Sequence, residues 1–502
     1  MKNQSQSSRS PRLILAVIAF GVFVAADDLT VVSTMLRQIV FDLGLALPDD
    51  LDKAAWIVNA YLIAYVIIMP FIGRVSDVLG RRFVYLSAMA LFLAGSIWVP
   101  FANSYEAFLA GRVLTALGGG AMVPVGMAIL GDVYRPEQRA SALGILGAID
   151  TAGWVWGPLY GALLIRFLSW EWQFYLNIPL SLIGLALGWW VLADLPRPSQ
   201  RERIDWVGTG LLTVCLLTLN IALLGSGDVG AAGSFTAVAE QESWETWPFY
   251  LAAGITFVLF VLSQHYWTNG APPLIELSLF RRPNFSPAVI INFCVGAILI
   301  IAMVNVPLVV NVLELDVGQA ALMSGYLLSG MTGAMAITAY LGGQATERWS
   351  YRPVTTAGLG FAVVGFALMG FIWTAETSFL DMAYHLAILG AGFGLIIAPV
   401  GAAVINAAPD AQRGIASSLV IVMRLIGMSV GLSALTSWGL YRFDILRTQI
   451  VLPEITDEGY YDALIAGLTN TTIAVLAETF VISAAVAAIA LLIGFMLKRD
   501  PS

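Results

Sequence analysis

The feature that most constrains this chain is a series of apolar blocks that recur along its whole length. Each block has about 20 residues, the number of helical residues that a bilayer core of roughly 30 Å takes to cross. Hydrophobic residues make up 59% of the sequence and charged ones 12%. Fourteen blocks can be counted, over residues 13–40, 55–73, 83–103, 106–130, 140–165, 173–194, 206–226, 249–268, 286–312, 319–342, 354–374, 379–405, 415–440 and 474–497. The sequence therefore predicts an all-α polytopic membrane protein.

The distribution of basic residues predicts how the chain is oriented. Of 25 Lys and Arg residues, 18 lie at the two ends of the chain or in loops that follow an even-numbered block. Cytoplasmic loops of membrane proteins collect Lys and Arg, so we expect both termini in the cytoplasm and the protein in the inner (plasma) membrane. The net charge of -8 then reflects an acidic outer face, and it indicates no nucleic-acid partner.

The N-terminus has two interpretations. The stretch MKNQSQSSRSPR and the apolar run after it have the layout of a signal peptide, with VAA as the cleavage site before Asp27. The run continues through LTVVSTMLRQIV, which favours a retained first helix. The two cysteines, Cys215 and Cys294, lie in separate apolar blocks, a spacing that predicts neither a metal site nor a disulfide.

The two ends of the chain resemble each other, as in transporters built from duplicated halves. A shift of 274 residues maps Gly118 and Gly120 of LGGGA onto Gly392 and Gly394 of GAGFG, Arg139 onto Arg413, and Gly153 and Gly157 onto Gly427 and Gly431. A shift of 270 maps Gly73, Asp77 and Arg82 onto Gly343, Glu347 and Arg352. The predicted organisation is a cytoplasmic tail (1–12), a six-helix half (13–194), a linker with helices 7 and 8 (195–285), a second six-helix half (286–497) and a cytoplasmic tail (498–502).

Three charged residues fall deep inside predicted helices. The 274-residue shift places Asp150 on Arg424, so opposite charges occupy equivalent positions about ten residues into their helices. Asp28 lies at a comparable depth in helix 1. A charge there costs roughly 2.5–3.5 kcal/mol on insertion scales and usually faces a partner or a water-filled cavity. We expect one buried set of Asp28, Asp150 and Arg424, either coupling protons to transport or only orienting helices.

Several motifs make the chain recognisable as a transporter. GRVSDVLGRR resembles the signature loop between helices 2 and 3 of the major facilitator superfamily, and GWVWGPLYG resembles its antiporter motif. DLTVV, WEWQFYLNIP and IDWVG resemble the fourteen-helix drug:proton antiporter branch. The stretches WIVNAYLIAYVIIMPFIGRVSDVLGRR and VMRLIGMSVGLSALTSWGLYRF are similar to mycobacterial triacylglyceride exporters that act beside a lipoprotein. The resemblance implies the major facilitator fold, with two six-helix halves and two inserted helices.

The resemblance also implies roles for particular residues. It implies a cytoplasmic latch formed by Gly73, Asp77, Gly80, Arg81 and Arg82, for which a simple topology signal is the alternative. It implies a degraded second latch at Gly343, Glu347 and Arg352, with Ser350 in place of glycine. It implies proton coupling by Asp28, Asp150 and Arg424, although the helix 5 acid can also align at Thr151. It implies a bend or close packing at the antiporter motif, which comprises Gly153, Gly157, Pro158 and Gly161. For the helix 4 motif, Arg112 and Thr115, coupling and structural roles both stay open.

The cargo is predicted from the scarcity of polar groups in the membrane helices. The candidates for cavity residues are Asn59, Trp154, Asn292 and Asn305. A sugar or amino-acid site needs several convergent hydrogen-bonding groups, so an apolar or amphipathic cargo fits better. After helix 13, residues at about 441–473 keep a helical apolar spacing that predicts an external extension, with a solvated loop as the alternative.

These expectations together predict a proton-coupled exporter of triacylglyceride-like lipids or other hydrophobic compounds, working by alternating access. The proton gradient takes the place of a cofactor, and the expected partners are membrane lipids, protons and an accessory lipoprotein. A multidrug:proton antiporter is the nearest alternative. A membrane enzyme is more remote, because the chain has two histidines, two dispersed cysteines, no GxSxG motif and no phosphate-binding loop. A non-transporting membrane sensor is also remote, because it should lose the coupling charges or carry a sizeable soluble output domain.

Overall fold

The protein is described by a computed structural model that covers residues 10–45, 51–195, 205–224, 246–266, 273–314, 317–409, 412–450, 453 and 459–498. Across these residues the chain forms fourteen long α-helices and no β-strand. The first seven are α1 Pro11–Asp42, α2 Leu51–Leu79, α3 Arg81–Trp98, α4 Tyr105–Val133, α5 Pro136–Phe167, α6 Glu171–Val191 and α7 Trp206–Leu224. The other seven are α8 Trp247–Tyr266, α9 Phe285–Leu313, α10 Val317–Trp349, α11 Tyr351–Ile372, α12 Phe379–Ala407, α13 Arg413–Arg447 and α14 Tyr460–Gly494.

Length and hydropathy support a multi-pass membrane protein. Among the described residues, 11 helices are long and apolar enough to cross a membrane. The three long helices outside that set are α1, α5 and α10, and two of these carry the acids Asp28 and Asp150. The all-α architecture is as predicted, whereas the number of fourteen spans stays a prediction.

The helices pack as two bundles with an additional pair. Helices α1–α6 contact one another in the first bundle, and α9–α14 do so in the second. The two bundles meet mainly where α2 packs on α13 and where α5 packs on α10. Helices α7 and α8 pack together, and α7 lies against both α2 and α13. Under the duplication α2 corresponds to α10 and α5 corresponds to α13. The α2–α13 interface is therefore equivalent to the α5–α10 interface.

The turns that precede α3 and α11 both need an unusual backbone conformation. Gly80 has a φ of 99°, and its equivalent under the 270-residue shift, Ser350, has a φ of 75°. Glycine adopts positive φ freely, whereas other residues are strained there. The sharp turn is therefore retained in the second half although the glycine is not.

Helices α13 and α14 are longer than a membrane crossing requires. Each has 35 residues, about 52 Å of helix at 1.5 Å per residue. Arg442 of α13 donates two hydrogen bonds to Glu478 of α14, at 2.7 and 2.5 Å, and this pair ties the two helices together. The predicted extension at 441–473 begins on α13 and ends on α14, and residues 451–452 and 454–458 of it lie outside the described residues.

Candidate transport site

An ion pair between the two bundles lies at the centre of the candidate site. Arg424 of α13 donates to Asp150 of α5, with 3.4 Å between Nη2 and Oδ2. The two side chains are only 11% and 8% exposed. Because Asp150 and Arg424 are equivalent under the 274-residue shift, each contacts its own counterpart. Such a contact forms only near the pseudo-two-fold axis that relates the halves, so the pair marks that axis.

Two small cavities border this ion pair, and both are lined by Asp150 and Arg424. The cavity toward the beginning of α5 and α13 has a free volume of about 30 Å³, and the other has about 10 Å³. A free volume of about 10–15 Å³ holds one water. The first is also lined by Val123, Met127, Leu143, Leu146, Gly147, Asn292, Ile397, Val420 and Ile421, and the second by Thr151, Leu299, Met303, Met331, Thr332 and Met335. The pair therefore lies between the two cavities. We name the cavity toward the beginning of α5 and α13 the inner cavity and the other the outer cavity.

Asp28 does not join this pair, contrary to the predicted set of three. Arg112 of α4 reaches Asp28 of α1, with 2.8 Å between Nη1 and Oδ2, and both side chains are almost fully buried. Asn177 of α6 also donates to Asp28, at 3.2 Å. The neighbouring Asp27 points elsewhere and accepts from Gln173, at 3.0 Å. In this structure Asp28 is therefore separate from the Asp150–Arg424 pair, because the arginine beside Asp28 is Arg112 and not Arg424.

Gln173 and Asn177, which donate to Asp27 and Asp28, are not among the residues predicted from the sequence. They lie four residues apart in WEWQFYLNIP, so one face of α6 carries both amides. Their exposed fractions are 0% and 2%. Two polar side chains at helical spacing in an apolar segment were the signal that could have identified them.

The cavity candidates are only partly placed at this site. Asn292 lines the inner cavity and donates to the backbone carbonyl of Val420. Asn305 donates instead to Thr479 at 2.7 Å and joins α9 to α14, so it lines neither of these two cavities. The side chains of Asn59 and Trp154 lie outside the described part of the structure.

The helix 4 and helix 5 motifs have different structural roles. Thr115 donates to the carbonyl of Arg112 at 2.8 Å, so its hydroxyl group is used within α4. A methyl group at Gly153 would lie 2.7 Å from Cβ of Ala26, which shows how closely α5 approaches α1. Gly157 and Gly161 are buried in α5, which is one continuous helix, and the side chain of Pro158 lies outside the described residues.

Two residues predicted for the cytoplasmic latch, Asp77 and Arg81, lie at the end of the α2–α13 interface. Asp77 pairs with Arg81 and accepts the backbone N–H of Gly414 at 3.1 Å. This N–H lies in the first turn of α13, where the helix dipole favours an anion. Asp132 contacts both Arg81, at 2.9 Å, and Arg413, at 3.2 Å. We name Asp77, Arg81, Asp132 and Arg413 the first latch.

Gly73 allows this close contact, and Arg82 takes no part in it. A methyl group at Gly73 would lie 2.9 Å from the carbonyl carbon of Gly414, so only glycine fits between α2 and α13. Arg82 points away from the latch, donates to the carbonyl of Trp189 at 2.9 Å and lies over the Trp189 ring. Its assignment to the latch is wrong, because its side chain extends toward α6 and not toward α13.

A second latch occupies the equivalent place between the halves. Arg139, the counterpart of Arg413, donates to Asn406 at 2.6 Å, and Asn406 is the counterpart of Asp132. Asn406 also donates to Tyr351 at 2.6 Å, and Tyr351 is the counterpart of Arg81. Glu347, the counterpart of Asp77, accepts from the backbone N–H of Ser141 near the start of α5. We name Glu347, Tyr351, Asn406 and Arg139 the second latch.

Two residues predicted for the second latch are placed differently from each other. A methyl group at Gly343 would lie 2.8 Å from Cα of Ser141, so Gly343 matches the role of Gly73. Arg352 lies over the ring of Phe495 of the C-terminal segment, 5.4 Å from its centroid. It behaves as its counterpart Arg82 does and stands beside an aromatic ring instead of in the latch.

The sequence of this chain is similar to those of known membrane transporters. Residues 18–432 match the family model of the Major Facilitator Superfamily. Similar curated proteins include a triacylglyceride transporter of Mycolicibacterium hassiacum, 33% identical over 86% of this chain and 80% of that protein. Another is a triacylglyceride transporter of Mycobacterium tuberculosis strain H37Rv, 32% identical over 86% of this chain and 83% of that protein.

Similar solved structures support the same fold. A proton:xylose symporter superposes with a TM-score of 0.62 at 14% identity, over 97% of this chain and 95% of that one. The human organic anion transporter MFSD10 gives a TM-score of 0.59 at 15% identity, over 96% of this chain and 100% of that one. Two bundles of six helices, signature glycines at both interfaces and the match over residues 18–432 lead to one conclusion. The chain belongs to the Major Facilitator Superfamily.

Proposed function

We propose that this protein is a proton-coupled exporter of triacylglyceride-like lipids that works by alternating access in the inner (plasma) membrane, with both termini in the cytoplasm. The observation that carries the proposal is the Asp150–Arg424 pair, which joins the two halves and separates the inner cavity from the outer one. The names of the similar mycobacterial proteins support a lipid cargo. An accessory lipoprotein that receives the lipid is part of this proposal.

The geometry of the pair suggests how protons and cargo are coupled. A carboxylate beside an arginine favours its ionised form, and one that loses the arginine in an apolar site takes up a proton. Rocking of the halves about the pseudo-two-fold axis separates Asp150 from Arg424, since they lie on different halves. Asp150 then receives a proton from one cavity and releases it toward the other when Arg424 returns.

The latches support the direction of the cycle. Both are formed in this structure, so the halves are in contact at the predicted cytoplasmic end. In the proposed cycle, lipid enters when the latches open, and export follows when they close and the outer side opens. The lining of both cavities is mainly aliphatic and methionine side chains, which suits acyl chains better than polar solutes.

The test is transport in inside-out proteoliposomes under an imposed pH gradient, with a labelled triacylglyceride and a cationic dye as alternative cargoes. We expect lipid movement that depends on the gradient and is abolished by Asp150→Asn. The matched control is Asp381→Asn, an exposed acid that bonds Ser378 at the start of α12. Movement of the dye alone would identify a multidrug antiporter, and normal transport by Asp150→Asn would show that the pair only holds the helices together.

A further inference from the structure

Two buried aromatic residues of α2, Tyr61 and Tyr65, lie in the surroundings of both buried ion pairs. Tyr61 and Tyr65 lie one helical turn apart, and their exposed fractions are 1% and 2%. The guanidinium carbon of Arg112 lies 4.1 Å above the centroid of the Tyr61 ring, within cation–π distance. Arg112 therefore contacts both Asp28 and Tyr61, and neither partner can move without affecting it.

The contact continues along α2 toward the second pair. The rings of Tyr61 and Tyr65 are stacked, with centroids 5.8 Å apart and planes inclined by 20°. Tyr65 lies within electrostatic range of both Asp150 and Arg424. Contacts thus run from Asp28 through Arg112 and Tyr61 to Tyr65, and Tyr65 acts on the pair at the pseudo-two-fold axis through its electrostatic surroundings.

Helix α4 leaves the two rings little freedom. A methyl group at Gly119 would lie 3.2 Å from the hydroxyl oxygen of Tyr61 and 3.6 Å from the ring of Tyr65. One at Gly120 would lie 2.6 Å from the backbone carbonyl oxygen of Tyr65. Because α4 also carries Arg112, the same helix holds the guanidinium above one ring and packs against both. A displacement of Arg112 is consequently passed to the stack.

We infer that Tyr61 and Tyr65 are positioning residues that transmit the state of the Asp28–Arg112 pair to the Asp150–Arg424 pair, so that opening of one pair favours opening of the other. The inference rests on the proposed proton-coupled transport. When the Asp28–Arg112 pair opens, Arg112 shifts relative to the Tyr61 ring. The stacked Tyr65 moves with it and changes the surroundings of Asp150 and Arg424.

A role in packing alone predicts a different outcome from a role in coupling. A packing role means that loss of a ring slows every mode of transport to the same extent. A coupling role means that the halves still exchange cargo while the proton gradient no longer drives net movement. The decisive readout is the ratio of gradient-driven transport to gradient-free exchange of labelled lipid.

The experiment measures that ratio in proteoliposomes for Tyr61→Leu, Tyr65→Leu, Tyr61→Phe and Tyr65→Phe. Coupling free energies between sites correspond to about 5- to 150-fold effects. We therefore expect the leucine variants to lose about tenfold in the ratio. The phenylalanine variants keep the ring and should stay near wild type. Phe366→Leu, which removes a buried ring of the second half, is the matched control and should leave the ratio unchanged.

A second variant tests the inference if the leucine variants do not fold. Gly119→Ala places a methyl group against both rings, whereas Gly401→Ala, also buried in its helix, meets only Met127 and Leu143 at 3.5 and 4.0 Å. Gly119→Ala should lower the ratio and Gly401→Ala should not. Equal ratios in both would overturn the inference while wild-type stimulation by the gradient upholds the proposed function. A wild-type protein that ignores the gradient would refute both.

Discussion

The first and second latches hold the two halves at equivalent places, and they differ in charge. In the first, the carboxylate of Asp132 accepts from Arg81 and Arg413. In the second, the amide of Asn406 stands in the place of Asp132, and Tyr351 stands in the place of Arg81. The two copies share the positions of these contacts, but the second has neutral residues at two positions that are charged in the first.

This difference implies unequal strength at the two interfaces. Hydrogen bonds to charged groups contribute about 1.5–3 kcal/mol, and neutral ones about 0.5–1.5 kcal/mol. We therefore expect the α2–α13 interface to be held more firmly than the α5–α10 interface at this end, and to be more sensitive to salt.

Two equivalent alanines can report the opening of each interface. Ala416 lies near the first latch and Ala142 near the second, and both are buried. Cysteines at these positions, in a chain with Cys215 and Cys294 replaced by alanine, report the opening of each interface.

The largest effect is expected when the first latch loses its central acid. Asp132→Asn leaves Arg81 and Arg413 without this carboxylate, and since Asp132 is 25% exposed we discount the loss to about 2 kcal/mol. Labelling of Ala416→Cys by a thiol reagent should then be about 30-fold faster. Ala142→Cys should change less, and equal changes at both reporters would contradict the unequal latches.

Adding a charge to the second latch tests the same difference between the two latches. Asn406→Asp gives Arg139 a charged acceptor, so labelling of Ala142→Cys should slow by about fivefold, the equivalent of about 1 kcal/mol. In the double variant with Asp132→Asn, the firmer interface should move from α2–α13 to α5–α10. Restoration is expected to be incomplete, because Tyr351 does not supply the charge that Arg81 supplies to Asp132.

Glycine packing should affect the two interfaces alike, in contrast to charge. Gly73→Ala and Gly343→Ala each press a methyl group against backbone atoms of the facing helix, and such overpacking costs about 1–3 kcal/mol. Both variants should increase labelling at the reporter of their own interface. Gly210→Ala, which meets nothing within 4 Å, is the control. Tolerance at only one of the two glycines would show that the interfaces differ in packing as well as in charge.

A smaller gain in stability is expected from the turn before α11. Ser350 is held at a φ of 75°, a conformation that costs a non-glycine residue about 1–2 kcal/mol. Ser350→Gly removes this strain but adds entropy to the unfolded chain, so the net gain should be below about 1 kcal/mol. Thermal unfolding in detergent measures it, and Gly80→Ser should give a loss. A lower unfolding temperature for Ser350→Gly would contradict this account.

The smallest effect is expected from Glu276, which is hydrogen-bonded to Gln412 beside the first latch, and this effect depends on pH. Glu276 accepts from Ser278 and from Gln412, which precedes Arg413, and these hydrogen bonds hold the pKa of Glu276 below its ordinary 4.5. A lowered pKa in the folded state means that the ionised form is favoured there. The contribution is therefore present at neutral pH and is lost as the pH falls through 4.5 and below. Labelling of Ala416→Cys should rise less with acid in Glu276→Gln than in wild type; identical acid responses would refute the role.

Much of the fold could be predicted from the sequence, since hydropathy and duplication are properties of the chain itself. The apolar blocks overlap the long α-helices that the structure describes, and the 274-residue shift predicted that Asp150 and Arg424 occupy equivalent sites. The two-half organisation followed from the same shift. Orientation, the cargo and proton coupling stay predictions.

The partners of individual side chains could not be predicted in the same way. Arg82 and Arg352 belong to signature motifs, yet both lie beside aromatic rings and outside the latches. Long side chains have several rotamers, and the neighbouring helices decide which rotamer finds a partner. A motif therefore predicts the position of a residue on its helix but not the partner of its charged group.

The sequence by itself determined the helices, the duplication and the positions of the charges along their helices, because hydrophobic length and repeat spacing are properties of the chain. The tertiary structure decided which charges meet. Asp28 is paired with Arg112 and not with Arg424, and Asp150 meets its own counterpart. The physical reason is that a buried charge must find its partner among the helices that pack around it. For Asp28 that packing is set within the first half, and for Asp150 it is set where the two halves meet.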